Sequence, residues 1–359
     1  MKKLPNLLVT LLFSLALGAG LLALVLLPAP EVLQSERRKP TPPPTLSDLS
    51  GGKWMRNWES YLADKFPLRE RLRTLRAFTT LYLLGQTDKD GLYFYQSHAG
   101  KFEPLDEAAA LRSAGVIARL AANYPDQRVY YAVIPDKSIY ARRRFPGFDP
   151  ARLREVTAPI LAGLTEIGLV PALSLESYYR TDLHWDQAKL RPVVEALGEA
   201  MGFATRWEFT TRDLGPFHGV YTGQLALPLR PDGMTVLDGM DGISAQYFDP
   251  KIGEFVPGPV YHDGKAAGRD PYDVFLGGAQ ALITLENPDN PDGRELYLFR
   301  DSFGSSLAPL LAPNYSRVTL IDLRYINARV LPEYVTFAPG ADVLFLVGWQ
   351  IFNANTWMT

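Results

Sequence analysis

From Leu7 to Leu27 the chain runs for 21 residues without a charged side chain, most of them Leu, Ala or Val. At about 1.5 Å per helical residue this is roughly 30 Å, the thickness of a bilayer's hydrocarbon core. Lys2 and Lys3 precede the run, which favours an N-terminus on the cytoplasmic side. The apolar stretch of a secretory signal is shorter, about 7–15 residues, and ends in a small-residue cleavage site. Here the run leaves through Leu27-Pro28-Ala29-Pro30 with no A-x-A pattern. The expectation is an uncleaved single-pass anchor in the cell membrane over residues 1–27, with the rest of the chain outside the cytoplasm.

Residues 28–50 read as a tether. Glu36, Arg37, Arg38 and Lys39 give way to Pro40, Pro42, Pro43 and Pro44, a composition that stays extended. Folding resumes near Trp54. Trp54, Met55, Trp58, Tyr61 and Leu62 recur at helical spacing until Pro67. Leu68, Leu72, Leu75, Thr79 and Tyr82 form a second stripe, with Arg69, Arg71, Arg73 and Arg76 expected on a solvated face.

From Gly91 onward, apolar runs of strand length alternate with helical patterns. Strands are predicted at 92–95, 128–134, 295–300, 318–322 and 343–347, and 168–173 is another short apolar run. Helices are predicted over 105–124, around 153–164, over 190–201 and over 305–311. Such alternation implies a mostly parallel sheet covered by helices on both faces. Residues 205–293, rich in Gly, Asp and Pro, break the rhythm and read as a β-rich insertion or small subdomain within a domain spanning 51–359.

Composition narrows the chemistry. A net charge of −2 gives no reason to expect nucleic acid as a partner. The absence of cysteine excludes disulfides, zinc–thiolate sites and cysteine nucleophiles. The four histidines show no recognised zinc-site spacing, so neither a metal nor another cofactor is expected.

Two short stretches carry the case for catalysis. In Arg180-Thr181-Asp182-Leu183-His184-Trp185 a carboxylate and an imidazole stand two residues apart. In an extended segment both side chains point the same way, so Asp182 can fix the His184 tautomer. On a helix they would lie about 200° apart. Asp186 fits a helix cap directly after the pair. The alternative is a capping aspartate beside a surface histidine. In Phe299-Arg300-Asp301-Ser302-Phe303 a serine follows a strand and precedes a helix. This is where open α/β sheets bind ligands, and where a backbone N–H can face an oxyanion. The alternative is an N-capping serine.

Together these stretches resemble the DHHW family, named for an Asp-His-His-Trp signature and similar to alginate O-acetyltransferase proteins with an SGNH-hydrolase-like domain. Thr181-Asp182-Leu183-His184-Trp185 and Asp301-Ser302-Phe303 are the main carriers. Asp64-Lys65-Phe66-Pro67-Leu68-Arg69 and Ile134-Pro135-Asp136-Lys137 add weaker support, and Leu183 stands where the family has its first histidine. The resemblance implies an SGNH-hydrolase-like fold with Ser302 as nucleophile, His184 as general base and Asp182 as its orienting acid. Arg324 and Asn353 are candidates for oxyanion or substrate contact. It implies O-acetyl transfer to a cell-surface or cell-wall glycan, with acyl groups delivered by a membrane-bound O-acyltransferase partner. A carbohydrate esterase using the same triad, or a non-catalytic glycan-binding protein, is the other outcome compatible with these residues.

Overall fold

A computed structural model describes residues 3–45, 48, 53–141, 148–290 and 293–356. The expected boundary between tether and domain, at residues 50–51, lies outside them. The chain divides into two units, 1–89 with 220–228, and 90–219 with 229–359.

In the first unit, helix α1 (Lys3–Leu26) contains the apolar run, and its Leu7–Leu26 stretch is wholly unburied. Helix α2 (Trp54–Lys65) stops where expected. Its C-cap Phe66 precedes Pro67 and is therefore pushed out of the helical region. Helix α3 (Arg69–Phe78) follows and runs into a π-helical turn over Thr79–Leu83. Part of the proline-rich stretch is fastened to this pair. Arg38 donates to both oxygens of Asp64 at 2.7 and 2.6 Å, and the Thr41 N–H and hydroxyl add two bonds of 2.9 Å.

Burial alone would raise the Asp64 carboxyl, but Arg38 and Thr41 outweigh it and bring it down to about 2. A folded-state pKa below the unfolded one makes this clamp fully stabilising above about pH 4, and its contribution is lost as pH falls towards 2. The thermal stability of Asp64→Asn should therefore fall below that of wild type at neutral pH and converge with it across that window. A gap that stays constant from pH 5 to pH 2 would rule the clamp out.

The second unit is built on a sheet that, among the described residues, has eight strands. A hairpin of β1 (Leu92–Tyr95) and β2 (His98–Lys101) precedes it. The sheet strands are β3 (Arg128–Ile134), β4 (Thr165–Glu166), β7 (Ser244–Asp249), β8 (Glu254–Gly258), β9 (Leu282–Glu286), β10 (Glu295–Arg300), β11 (Arg317–Ile321) and β12 (Asp342–Gly348). Their order is β4-β3-β12-β10-β11-β9-β7-β8. The first five are mutually parallel, and the last three are antiparallel additions. β5 (Thr210–Phe217) and β6 (Asp232–Asp238) form a separate antiparallel ribbon.

The central strands are apolar on both faces, as a doubly covered parallel sheet requires. Alternate residues divide between two cores. Ala132, Leu298, Leu320 and Leu344 pack with α6 (Arg191–Met201) and α7 (Phe303–Leu311). Tyr131, Phe299, Ile321 and Phe345 pack with α4 (Glu107–Ala121), α5 (Pro150–Leu161) and α8 (Trp349–Ala354). The α/β architecture read from the sequence is therefore present, with helices on both faces.

Two segments left open by the sequence take a definite form. The apolar run 168–173 forms a single 3-10 turn, Val170–Ala172, and the paired strand beside it is Thr165–Glu166. The 205–293 segment, read as a β-rich insertion or small subdomain, is β-rich. Its β7, β8 and β9 extend the main sheet, with β9 pairing to β11 from Leu282↔Ile321 to Glu286↔Arg317.

Candidate active site

The sheet topology collects the candidate residues at the carboxyl ends of its parallel strands. β10 ends at Arg300, and Ser302 is the N-cap of α7. β3 ends at Ile134, just before Asp136 and Lys137, and β12 ends at Gly348. The buried Asp301 ties two of these ends together. One of its oxygens accepts from Phe303 N at 3.0 Å, the other from Gly348 N at 2.6 Å. Burial raises its carboxyl, while these two amides oppose the shift.

Asp182, His184 and Ser302 meet there. Asp182 Oδ1 lies 2.7 Å from His184 Nδ1, and His184 Nε2 lies 2.7 Å from Ser302 Oγ. Asp182 and His184 are 2% and 6% exposed, while Ser302 is partly open. The relay thus begins in the protein interior and ends at the surface. Its backbone is not the extended segment that the spacing suggested. Residues 180–184 form a bend closed by a bridge between Tyr178 and Trp185, with Tyr179 N donating to His184 O at 3.0 Å. Asp182 Oδ1 also accepts from His184 N at 3.2 Å, a local turn that brings carboxylate and ring together. Asp186 caps the following 3-10 turn through Ala188 N, as expected.

Groups that the sequence did not single out hold this bend. Lys137, fully buried, donates from Nζ to Tyr179 O at 2.8 Å and to Asp182 O at 2.7 Å. Burial brings its ammonium down to about 8, against the pull of Asp136, Asp182 and Asp232. Asp232 accepts from the backbone N–H groups of Arg180 and Thr181, both at 2.8 Å, and from the Thr181 hydroxyl. Thr181 Oγ1 accepts in turn from Gly219 N at 2.8 Å. A Cβ at Gly219 would collide with the Thr181 carbonyl, so only glycine allows this approach.

Tyr272 lies flat on the His184 ring, with centroids 3.7 Å apart and planes 7° apart. Its hydroxyl shares a 2.7 Å hydrogen bond with Ser306 Oγ, which also accepts from Trp185 Nε1 at 2.8 Å. The imidazole is thereby fixed at one nitrogen by Asp182, on one face by Tyr272, and along one edge by Phe303, 4.9 Å away.

Such a relay can draw the Ser302 proton onto Nε2 while Asp182 stabilises the resulting imidazolium. Ser302 stands at the first turn of α7, where helix N–H groups point outward and favour negative charge. The two low-ranking candidates stand in other networks. Asn353 accepts from Asp106 N at 2.8 Å and donates to Pro104 O at 2.9 Å, which engages both ends of its amide in anchoring α4. Arg324 donates to Asp322 from Nε at 2.9 Å and Nη2 at 2.7 Å. Among the described residues neither hydrogen-bonds Ser302.

Comparison with known proteins finds a family match over part of the chain and similar folds among solved structures. Residues 174–321, which contain Asp182, His184 and Ser302, match the family model for DHHW proteins. No curated protein matches the sequence. In structure the chain is similar to a DHHW family protein from Eubacterium siraeum, at 18% identity and a TM-score of 0.60, covering 76% of this chain and 97% of that one. It is also similar to Bacillus cereus PatB1 solved with a sulfonyl adduct, at 14% identity and a TM-score of 0.57, covering 75% and 98%. A looser likeness, with a TM-score of 0.42 and 14% identity over 74% and 93%, is to the O-acetyltransferase domain of Pseudomonas putida AlgJ. The resemblance carried by the Asp-x-His-Trp and Asp-Ser-Phe stretches is matched by the DHHW family model over residues 174–321, and the α/β fold is shared with the Eubacterium siraeum and PatB1 structures.

Proposed function

We propose that this chain is a membrane-anchored, extracytoplasmic acyl-transfer enzyme, an O-acetyltransferase that modifies a cell-surface or cell-wall glycan. The observation that carries the reading is the unbroken relay from Asp182 through His184 to Ser302, with both links at 2.7 Å. Ser302 Oγ attacks the carbonyl of an acyl donor while His184 takes its proton. The oxyanion faces the first turn of α7. The donor's leaving group departs with the proton from His184, and acetyl remains on Ser302. A sugar hydroxyl then gives its proton to His184 and attacks the acyl-enzyme, regenerating Ser302. Water in place of the sugar would make the same site an esterase. The donor is expected to reach Ser302 through a membrane-bound O-acyltransferase partner, with α1 holding the two in one membrane.

Mass spectrometry of the full chain, incubated with an activated acetyl ester, tests the covalent step. Roughly one adduct of about +42 Da per chain is expected on the peptide containing Ser302, and none in Ser302→Ala. Phenylmethanesulfonyl fluoride should block it, since PatB1, of the same fold, carries a sulfonyl adduct. Adding glycan oligosaccharides then separates the acceptors: acetylated sugar marks a transferase, free acetate an esterase. Wild type that forms neither adduct nor product would overturn the catalytic reading in favour of glycan binding.

A further inference from the structure

Helix α3 is built inside out for a protein in water. The face turned into its own unit carries arginines. Arg69 and Arg73, with side chains 15% and 19% exposed, both pair with Glu36, and Arg73 also donates to Gly223 O at 2.8 Å. The outward face carries Leu72, Leu75 and Phe78, continued by Tyr82 and Leu83 on the π-helical turn, at 46–74% exposure. Arg71 and Arg76 are exposed among them. Soluble proteins bury such residues and leave scattered apolar groups outside; a contiguous apolar face with charge directed inward is the arrangement expected against lipid. Aliphatic and aromatic side chains interspersed with exposed arginines are also the signature of a helix lying in a membrane interface.

A second observation fixes what covers this face. A Cβ at Gly20 of α1 would stand 3.6 Å from Cζ of Phe66, so the corner between α2 and α3 lies against the apolar helix. Gly20 is six residues before Leu26, where the Leu7–Leu26 span ends. At about 1.5 Å per residue that is roughly 9 Å inside the end of the span. Phe66 therefore sits at acyl-chain depth when α1 crosses a bilayer, and α3 begins three residues later.

We infer that residues 66–84 form a second membrane contact, with the outward face of α3 and its π-helical turn embedded in the outer leaflet. The inference rests on α1 spanning the membrane. Two points on one bilayer, rather than a single flexible tether, would then fix the first unit's orientation to the membrane plane. Arg71 and Arg76, exposed among these side chains, would extend their guanidinium groups up to the head groups.

The absence of cysteine makes the test clean. Single cysteines at Leu72, Leu75 or Tyr82, and at Phe13 in α1 as a reference, are labelled with an environment-sensitive fluorophore. Each full-length variant is reconstituted in phosphatidylcholine–phosphatidylglycerol vesicles. Blue-shifted emission, loss of emission with acyl-chain-brominated lipid and protection from aqueous iodide are expected at all four positions. Quenching by brominated lipid at Phe13 alone, with iodide reaching the other three positions, would overturn the second contact while leaving the anchor intact. No quenching at Phe13 or the other three positions would remove the anchor, and this inference with it. All four substituted side chains point out of the fold, so none is expected to impair folding.

Discussion

Ser302→Ala lowers the kcat for hydrolysis of an activated acetyl ester by roughly 10⁴–10⁶-fold, and His184→Ala by a similar factor. The double variant is no slower than either single one, because each residue acts only through the other. The 2.7 Å bond between His184 Nε2 and Ser302 Oγ is the physical basis of that coupling. Without the imidazole, the serine proton has no acceptor at the correct distance. Without the serine, the imidazole has nothing to activate. Asp182→Asn should cost about 10⁴-fold, since an amide in its place favours the wrong imidazole tautomer. Losses that multiply in the double variant would show that the two residues act independently and that the relay is not the catalytic unit.

Lys137→Met destabilises the protein by about 3–5 kcal/mol, the cost of breaking a buried charge cluster by removing one partner. Its ammonium is fully buried and bonded to the carbonyls of Tyr179 and Asp182, and its field offsets the buried Asp136. Burial already pushes the Asp136 carboxyl up, and loss of the adjacent cation pushes it further. The thermal midpoint should fall by on the order of 10 °C. Activity should fall further than unfolding explains. Asp182 hangs from a backbone that Lys137 holds, and a misplacement of about 1 Å can cost roughly 100-fold in rate. The decisive measurement is kcat well below the new midpoint. A variant as stable as wild type would show that the two carbonyls find other donors.

The candidate residues Asp182, His184 and Ser302 were legible because residue type and local spacing carried the signal. A carboxylate two residues from an imidazole, and a serine at a strand-to-helix junction, are short-range patterns. The sheet was legible for a similar reason: strands buried on both faces are apolar throughout, as in Val343-Leu344-Phe345-Leu346-Val347. What holds the site was not legible. Lys137 lies 45 residues before Asp182, and Asp232 lies 51 residues after Thr181. No periodicity connects residues that meet only through the crossovers of a sheet. Tyr272 falls in the Gly- and Asp-rich segment, where composition pointed to a separate insertion and gave no cue that one ring would cover the imidazole. Arg69 and Arg73 misled in another way. Helical spacing separated them from the leucines correctly, but the side facing water was assigned by polarity alone, and Glu36 and Asp64 had already claimed the arginines.

The strand order also dictates the timetable of folding. β3 forms in the first half of the chain, yet one of its two neighbours in the sheet is β12, the last strand. Until Asp342–Gly348 has emerged, β3 and its short partner β4 cannot join β10 and β11, and a flat apolar edge stays open on each side of the gap. Such edges recruit other chains, and pairings between distant segments form slowly. A chain of this design would therefore remain vulnerable until β12 has been made, and a stop codon shortly before residue 342 would leave two incomplete sheets. Its quality control would rest on β12: Asp301 gains its bond from Gly348, and so the Ser302 turn is secured, only once that strand has formed.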